Sequence, residues 1–186
     1  MRWPELTGLR GRIGGDALLA ALPEVDGVHV LAASRERATA LPAEAVTAVV
    51  EAARAAGWRV VVDLPRSGCG CGGSAADVVL ADADLVALLV PARVRAVSAA
   101  RSLLASADGS TVPWAAAQLV VRELPGGLPA AEVSRVLGRP VLATLPHDRG
   151  AVGRAERGEP PSVAGRAPLG VLARRLLAEL PTGGAA

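Results

Sequence analysis

Lysine is absent from this chain of 186 residues, and so are phenylalanine and tyrosine. All 20 basic side chains are therefore arginine. Forked guanidinium groups bind phosphate and carboxylate well, but they cannot supply the compact ammonium of a lysine-bearing phosphate loop. The aromatic fraction is 2% against a hydrophobic fraction of 51%, and the three rings are Trp3, Trp58 and Trp114. The core must then be built from Leu, Val and Ala, whose small side chains depend on close packing. Cysteine is limited to Cys69 and Cys71, one residue apart, which excludes an ordinary disulfide framework. Long apolar runs are also missing. Asp77, Asp82 and Asp84 interrupt the best candidate before it reaches the roughly 18 residues of a membrane span, so no integral membrane segment is expected. Met1-Arg2-Trp3-Pro4-Glu5 has no apolar core of a secretory signal, which points to the cytoplasm. A net charge of +2, scattered along the chain, makes no electrostatic case for nucleic acid.

What is present is an alternation of short β-branched runs with Ala/Leu/Arg-rich amphipathic segments. Strands are expected at 28–31, 60–62, 85–90, 119–121 and 140–145. Helices are expected at 42–56, 74–80, 93–107, 129–137, 152–157 and 168–180, from apolar residues recurring at helical spacing and from Pro and Gly at their ends. The runs at 60–62 and 85–90 are apolar without alternation, as in strands buried on both faces, and are expected at the centre of the sheet. The fold class is α/β, a mostly parallel sheet with helices on both faces in three layers. Length and the lack of a linker predict a single domain over 1–186, irregular over 1–12 and with a flexible tail at 181–186.

Ligands of open parallel sheets bind beyond the carboxyl ends of the strands, so residues there carry the chemistry. Asp63 follows three valines and precedes Leu64, Pro65 and the glycine-rich stretch that contains Gly68. A carboxylate in that place suits Mg²⁺ or its water shell beside phosphates, or else it caps the turn that follows. Cys69 and Cys71 supply two thiolates where a closed zinc site needs about four ligands, and His29 and His147 lie far off in sequence. Arg93, Arg95 and Arg101 form either a basic face for a partner or the solvated side of an amphipathic helix.

Val60-Val61-Val62-Asp63-Leu64-Pro65 resembles the Walker B and switch II start of the MinD/ParA class of P-loop ATPases. In the same order, Ala83-Asp84-Leu85-Val86-Ala87-Leu88-Leu89-Val90-Pro91 resembles the strand after that switch, and Arg93-Val94-Arg95-Ala96-Val97 the helix start that follows. Pro140-Val141-Leu142-Ala143-Thr144-Leu145-Pro146-His147-Asp148 resembles the class's late strand with its I-P-x-D ending, and Arg157-Gly158-Glu159-Pro160 its R/N-G-E-P signature. The opening Arg2-Trp3-Pro4-Glu5-Leu6 and the helix holding Glu44 are most similar to the actinobacterial CpaE-like group. That group includes proteins described as septum-site-determining and as neighbours of pilus and secretion genes. The resemblance runs over nearly the whole chain.

It implies a positioning ATPase that uses ATP and Mg²⁺, with protein partners in division or pilus/secretion machinery and a possible homodimer. Asp63 would take the magnesium side through water, and Leu64, Pro65 and Gly68 the switch loop. Arg122, Pro146 and Asp148 would lie near the nucleotide, Arg122 standing where the class often has Asn. The departure is the phosphate loop. The class carries a glycine- and lysine-rich loop after its first strand, and this chain is expected to begin downstream of it. No ATP hydrolysis by these residues alone is expected, and no tight binding of ATP or Mg²⁺. The rival reading is a non-enzymatic interaction module that has kept the fold and lost nucleotide binding. A small-ligand Rossmann-like enzyme is the third reading, but no G-x-G-x-x-G follows a strand and opens a helix.

Overall fold

The computed structural model describes residues 2–6, 13–33, 41–64, 74–107 and 114–181. They group into two compact units that divide between Asp82 and Ala83.

The first unit holds helices α1 (Trp3–Leu6), α2 (Gly15–Ala21), α3 (Ala43–Ala55) and α4 (Ala75–Ala81), with a small hairpin of β1 (Glu24–Val25) and β2 (Val28–His29). Its packing begins in the sequence pattern of α3. Pro42 precedes the helix with its φ fixed at −61°, and Ala45, Val46 and Ala52 recur at helical spacing and are buried. Leu6, Leu18 and Ala52 form a core cluster on which Trp3, Ile13, Leu22, Leu31 and Val49 pack. The Trp3 amide donates to the Ala32 carbonyl at 3.1 Å and the Arg2 guanidinium to the Ala33 carbonyl at 2.9 Å, tying the first described residues to the chain beyond the hairpin. Arg54, near the end of α3, pairs with the carboxylate of Asp82 and donates to its carbonyl at 2.8 Å.

A reciprocal cap starts α4. The Asp77 amide donates to the Ser74 hydroxyl at 3.2 Å, and the Ser74 amide donates back to the Asp77 carboxylate at 3.0 Å. Asp77 is the buried charged residue among those described, and the cap compensates its burial. Asp77→Ala is expected to lower stability by about 1 kcal/mol in urea melts, with Asp77→Asn closer to the parent because its side-chain oxygen still accepts.

In the second unit, β3 (Ala87–Pro91), β4 (Gln118–Arg122) and β5 (Val141–Leu145) make a parallel sheet in the order β3-β4-β5. Around it run α5 (Val94–Ala107), a 3₁₀ turn (Trp114–Ala116), α6 (Ala130–Leu137), α7 (Arg149–Glu156) and α8 (Pro168–Glu179). Leu119, Val120 and Val121 are all buried, and successive strand residues face opposite ways, so β4 is covered on both faces. Helix α5 packs on β3 and on α6, α6 reaches β4 and β5, and α8 packs on β5. An extra residue in β5, Leu142, shifts the register between Leu119↔Val141 and Val120↔Ala143. The core is aliphatic, as composition requires, with Trp114 its one ring among the described residues.

The α/β class, the parallel sheet and the helices of this unit agree with the sequence reading. The order of the strands does not. Among the described residues the central strand is β4, while β3 lies at an edge and its Leu89 is exposed. Residues 60–62, expected at the centre of a sheet, have no ladder partner among the described residues, and their valines are exposed. An apolar run becomes a buried strand only where other strands and helices cover it, and periodicity does not register whether they are there. The strand expected at 28–31 is shorter and antiparallel. Asp26 and Gly27, at φ 51° and 79°, form the tight two-residue turn that joins it to β1. Residues 3–6 are helical rather than irregular, held by the burial of Leu6.

Candidate functional site

In the second unit the strands end at Pro91, Arg122 and Leu145, and α5, α6 and α7 begin beyond those ends. Three segments therefore meet at the carboxyl edge: residues 92–93, 123–129 and 146–148. The Ala92 amide donates to the Arg122 carbonyl at 2.9 Å, the Leu128 amide to the Ala92 carbonyl at 3.0 Å, and the Glu123 amide to the Leu145 carbonyl at 2.8 Å. The Arg93 guanidinium donates to the carbonyls of Pro125 at 2.8 Å and Gly126 at 3.0 Å. These bonds hold the loop after β4 against the end of β3.

Arg122 lies half-buried at the end of β4, in register with Leu145, and its guanidinium has no partner among the described residues. Pro146 is exposed and ends β5, because it lacks the amide that would continue the ladder. The Asp148 carboxylate accepts from the amides of Gly150 at 2.8 Å and Ala151 at 3.2 Å, which makes it the N-cap of α7. The parallel register thus brings Arg122, Pro146 and Asp148 to one edge, with the Asp148 carboxylate already engaged by backbone. Asp63 belongs to the first unit, where it is exposed after residues 60–62, and Leu64 beside it is half-buried. Pro65, Gly68, Cys69 and Cys71 lie outside the described residues.

The sequence reading missed one positioning residue. Arg93 was expected on a solvated or partner-facing basic face, but it clamps the loop at 125–126 instead. The parallel pairing Pro91↔Arg122 is the signal, since it carries residue 93 alongside that loop. Arg95 and Arg101 are exposed on α5 with no partner among the described residues.

The R/N-G-E-P stretch acts as a helix stop. The Gly158 amide donates to the Ala155 carbonyl at 3.1 Å and the Glu159 amide to the Arg154 carbonyl at 2.9 Å, with Gly158 at φ 67°, a left-handed value suited to glycine. Arg157 then grips the Glu159 carboxylate with two nitrogens, one at 2.9 Å. This hydrogen bond holds the Glu159 carboxyl below its ordinary range, with smaller help from the charge of Arg154, and holds the Arg157 guanidinium above its own. A group whose folded-state pKa is depressed favours the fold above its unfolded pKa and loses that effect as pH falls through the folded value. In a carboxyl-carbon NMR titration, Glu159 is expected to titrate below an ordinary glutamate, and Arg157→Gln to move it back up.

The residues present can be tested against ATP and Mg²⁺. No lysine exists in the sequence, and no group of three or more His, Cys, Asp or Glu side chains converges among the described residues. With the Asp148 carboxylate occupied in its cap, the described residues at the second unit's carboxyl edge offer the guanidinium of Arg122, without a partner among the described residues, as their free polar group. No helix among them is long and apolar enough to cross a membrane.

No family model matches the chain. It is similar to two uncharacterized proteins of Mycobacterium tuberculosis, MT3760 (strain CDC 1551 / Oshkosh) and Rv3660c (strain ATCC 25618 / H37Rv). Each is 40% identical over 185 residues, which is 99% of this chain and 50% of the relative. The chain thus spans about half the length of the curated relatives it matches. Among solved structures it is similar to a ParA family ATPase from Chlorobium tepidum TLS, with a TM-score of 0.65 at 15% identity over 89% of this chain and 64% of that one. It is also similar to the MinD cell division protein of Aquifex aeolicus, with a TM-score of 0.56 at 21% identity over 77% and 64%. The chain has the MinD/ParA-class α/β fold.

Proposed function

We propose that these residues belong to a CpaE/MinD-like positioning ATPase domain whose phosphate loop is not among them. The domain positions septum or pilus/secretion machinery in the cytoplasm through protein partners, and a homodimer is part of this reading. The observation that carries it is a MinD/ParA-class fold in a sequence without lysine. In the intact domain, ATP and Mg²⁺ would be held by a loop supplied from outside residues 1–186, with Asp63 on the magnesium side through water and Arg122 and Pro146 near the base. When bound, the metal would neutralise charge on the phosphates.

The second reading is an interaction module that keeps the fold without nucleotide chemistry. The capping role of Asp148 and the arginine at position 122 favour it. Calorimetric titration of residues 1–186 with ATP-Mg²⁺ is expected to give little heat under either reading. Sub-micromolar, magnesium-dependent binding would overturn the claim that the loop lies elsewhere. The two readings part on the DNA upstream of Met1: an in-frame strand and glycine-lysine-rich loop supports the ATPase, and a stop codon there supports the module.

A further inference from the structure

Arg122 ends the central strand β4 half-buried, and its guanidinium charge meets no carboxylate among the described residues. Strand geometry explains why. Residues in register share a face of the sheet, and those beside Arg122 are Pro91 on β3 and Leu145 on β5, neither of which has a side-chain acceptor. Glu123 follows on the opposite face. Asp148 directs its carboxylate to the amides of Gly150 and Ala151. Two more guanidinium groups stand at the same edge. Arg93 is held by the carbonyls of Pro125 and Gly126, which leave its charge uncompensated, and Arg149 is exposed at the start of α7.

The surface around Arg122 is set before any ligand arrives. Arg93 grips residues 125–126, and a Cβ at Gly127 would lie 2.6 Å from the Ala92 carbonyl oxygen, so the loop sits directly on the end of β3. Binding to a surface that is already ordered costs less entropy. Its other side chains are apolar: Pro125 and Pro146 are exposed, and Leu124 and Leu145 are half-buried.

We infer that the carboxyl edge around Arg122 docks an acidic, apolar-flanked segment of a protein partner, with one Asp or Glu carboxylate of that segment on the Arg122 guanidinium. A charge drawn partly out of water is stabilised by an opposite charge within hydrogen-bonding reach, and the planar fork meets a carboxylate with two parallel bonds. Arginines are a recurrent means of reading acidic motifs. A single fork between apolar neighbours matches one planar carboxylate and apolar side chains beside it, whereas a triphosphate spreads its charge over several groups that each call for donors. The inference rests on the interaction-module reading and names the chemistry of that module's partner.

The experiment titrates residues 1–186 with a short peptide of alternating Glu and Leu, following the Arg122 Nε–Hε NMR signal, which is assigned by its loss in Arg122→Gln. Affinity is expected to fall by about 10-fold or more in Arg122→Gln, and by about as much when Gln replaces Glu in the peptide. Arg122→Lys is expected to recover only part of the loss, because an ammonium cannot form the fork. Arg95→Gln, on the exposed side of α5, is expected to leave binding unchanged. Protection of the β4 amides in each variant checks that the sheet is intact, and the peptide exchange tests the inference on the parent chain even if one variant fails to fold. Unchanged affinity in folded Arg122→Gln overturns the inference, as does equal binding of the Gln-Leu peptide or an equal loss in Arg95→Gln. Displacement of the peptide by inorganic phosphate or ATP-Mg²⁺ at the same concentration overturns it in favour of a phosphate ligand. The module reading is tested apart, on the protein expressed from the reading frame extended to the length of the relatives. ATP hydrolysis by that extended protein, with the peptide still bound through Arg122, sinks the module reading alone. No hydrolysis and no peptide binding sinks the docking alone.

Discussion

Asparagine at position 63 is expected to lower magnesium-dependent ATP turnover of the extended protein by about 100-fold or more, the loss usual when one preorganised charge is removed from a reacting phosphate site. The substitution is nearly isosteric, so it removes the charge that would hold the metal's water shell while keeping the shape of the side chain. In the 186-residue chain Asp63 is exposed and belongs to no group of three or more His, Cys, Asp or Glu side chains among the described residues. Asp63→Asn and Asp63→Ala should therefore leave the small ATP response of that chain unchanged. Steady-state phosphate release, measured on both lengths with and without the substitution, checks both halves. Full turnover by the extended Asp63→Asn protein would remove Asp63 from the magnesium side. An extended protein that neither binds nor hydrolyses ATP would leave the interaction-module reading in place.

Leu119→Ala is expected to destabilise the second unit by about 3–4 kcal/mol, within the range found for leucine truncation in a packed core. Leu119 has no exposed surface, sits on the central strand and is paired in register with Leu88 on one side and Val141 on the other. The flanking strands and helices cannot close over the lost volume without breaking that register. Val61→Ala, a truncation in a run of equal hydrophobicity, is expected to cost less than about 0.5 kcal/mol in the same chain, because the side chain is exposed. Urea melts of the two variants make the comparison directly. Equal losses would mean that residues 60–62 are covered in solution.

These paired variants show where a reading of the chain succeeds. Helix α3 was legible because Pro42, the apolar Ala45, Val46, Val49, Val50 and Ala53, and Gly57 act within a few residues of one another, and the structure buries Ala45 and Val46 of that face together with Ala52. Helix α6, stopped by Gly138 at φ 61°, was legible for the same reason. The runs 119–121 and 140–145 were recognisable as strands, and they pair in parallel as β4 and β5. The hairpin at Asp26-Gly27 went unread: residues 28–31 were expected as a strand of the parallel sheet, and Val28–His29 instead pairs with β1 in antiparallel fashion.

Of the candidate site, Arg122, Pro146 and Asp148 were named by the resemblance to the MinD/ParA class, which left a strand-ending proline and a turn aspartate as the plain reading of the last two; the parallel register places all three at one edge of the second unit's sheet. The resemblance left open what Asp148 does, and that depended on which amides the start of α7 turned toward its carboxylate. The lack of lysine is a property of composition, so these residues supply no lysine ammonium whatever their fold.

Tertiary pairing decided which valines are buried. Val120-Val121 and Val60-Val61-Val62 have the same chemistry and the same local preference for extended backbone, yet the first pair is buried and the second run is exposed. The difference arises because β4 has a hydrogen-bonded strand on each side and helices against the sheet, whereas residues 60–62 have no ladder partner among the described residues. Burial of a strand is a property of its neighbours, and for β4 those neighbours lie tens of residues away in the sequence.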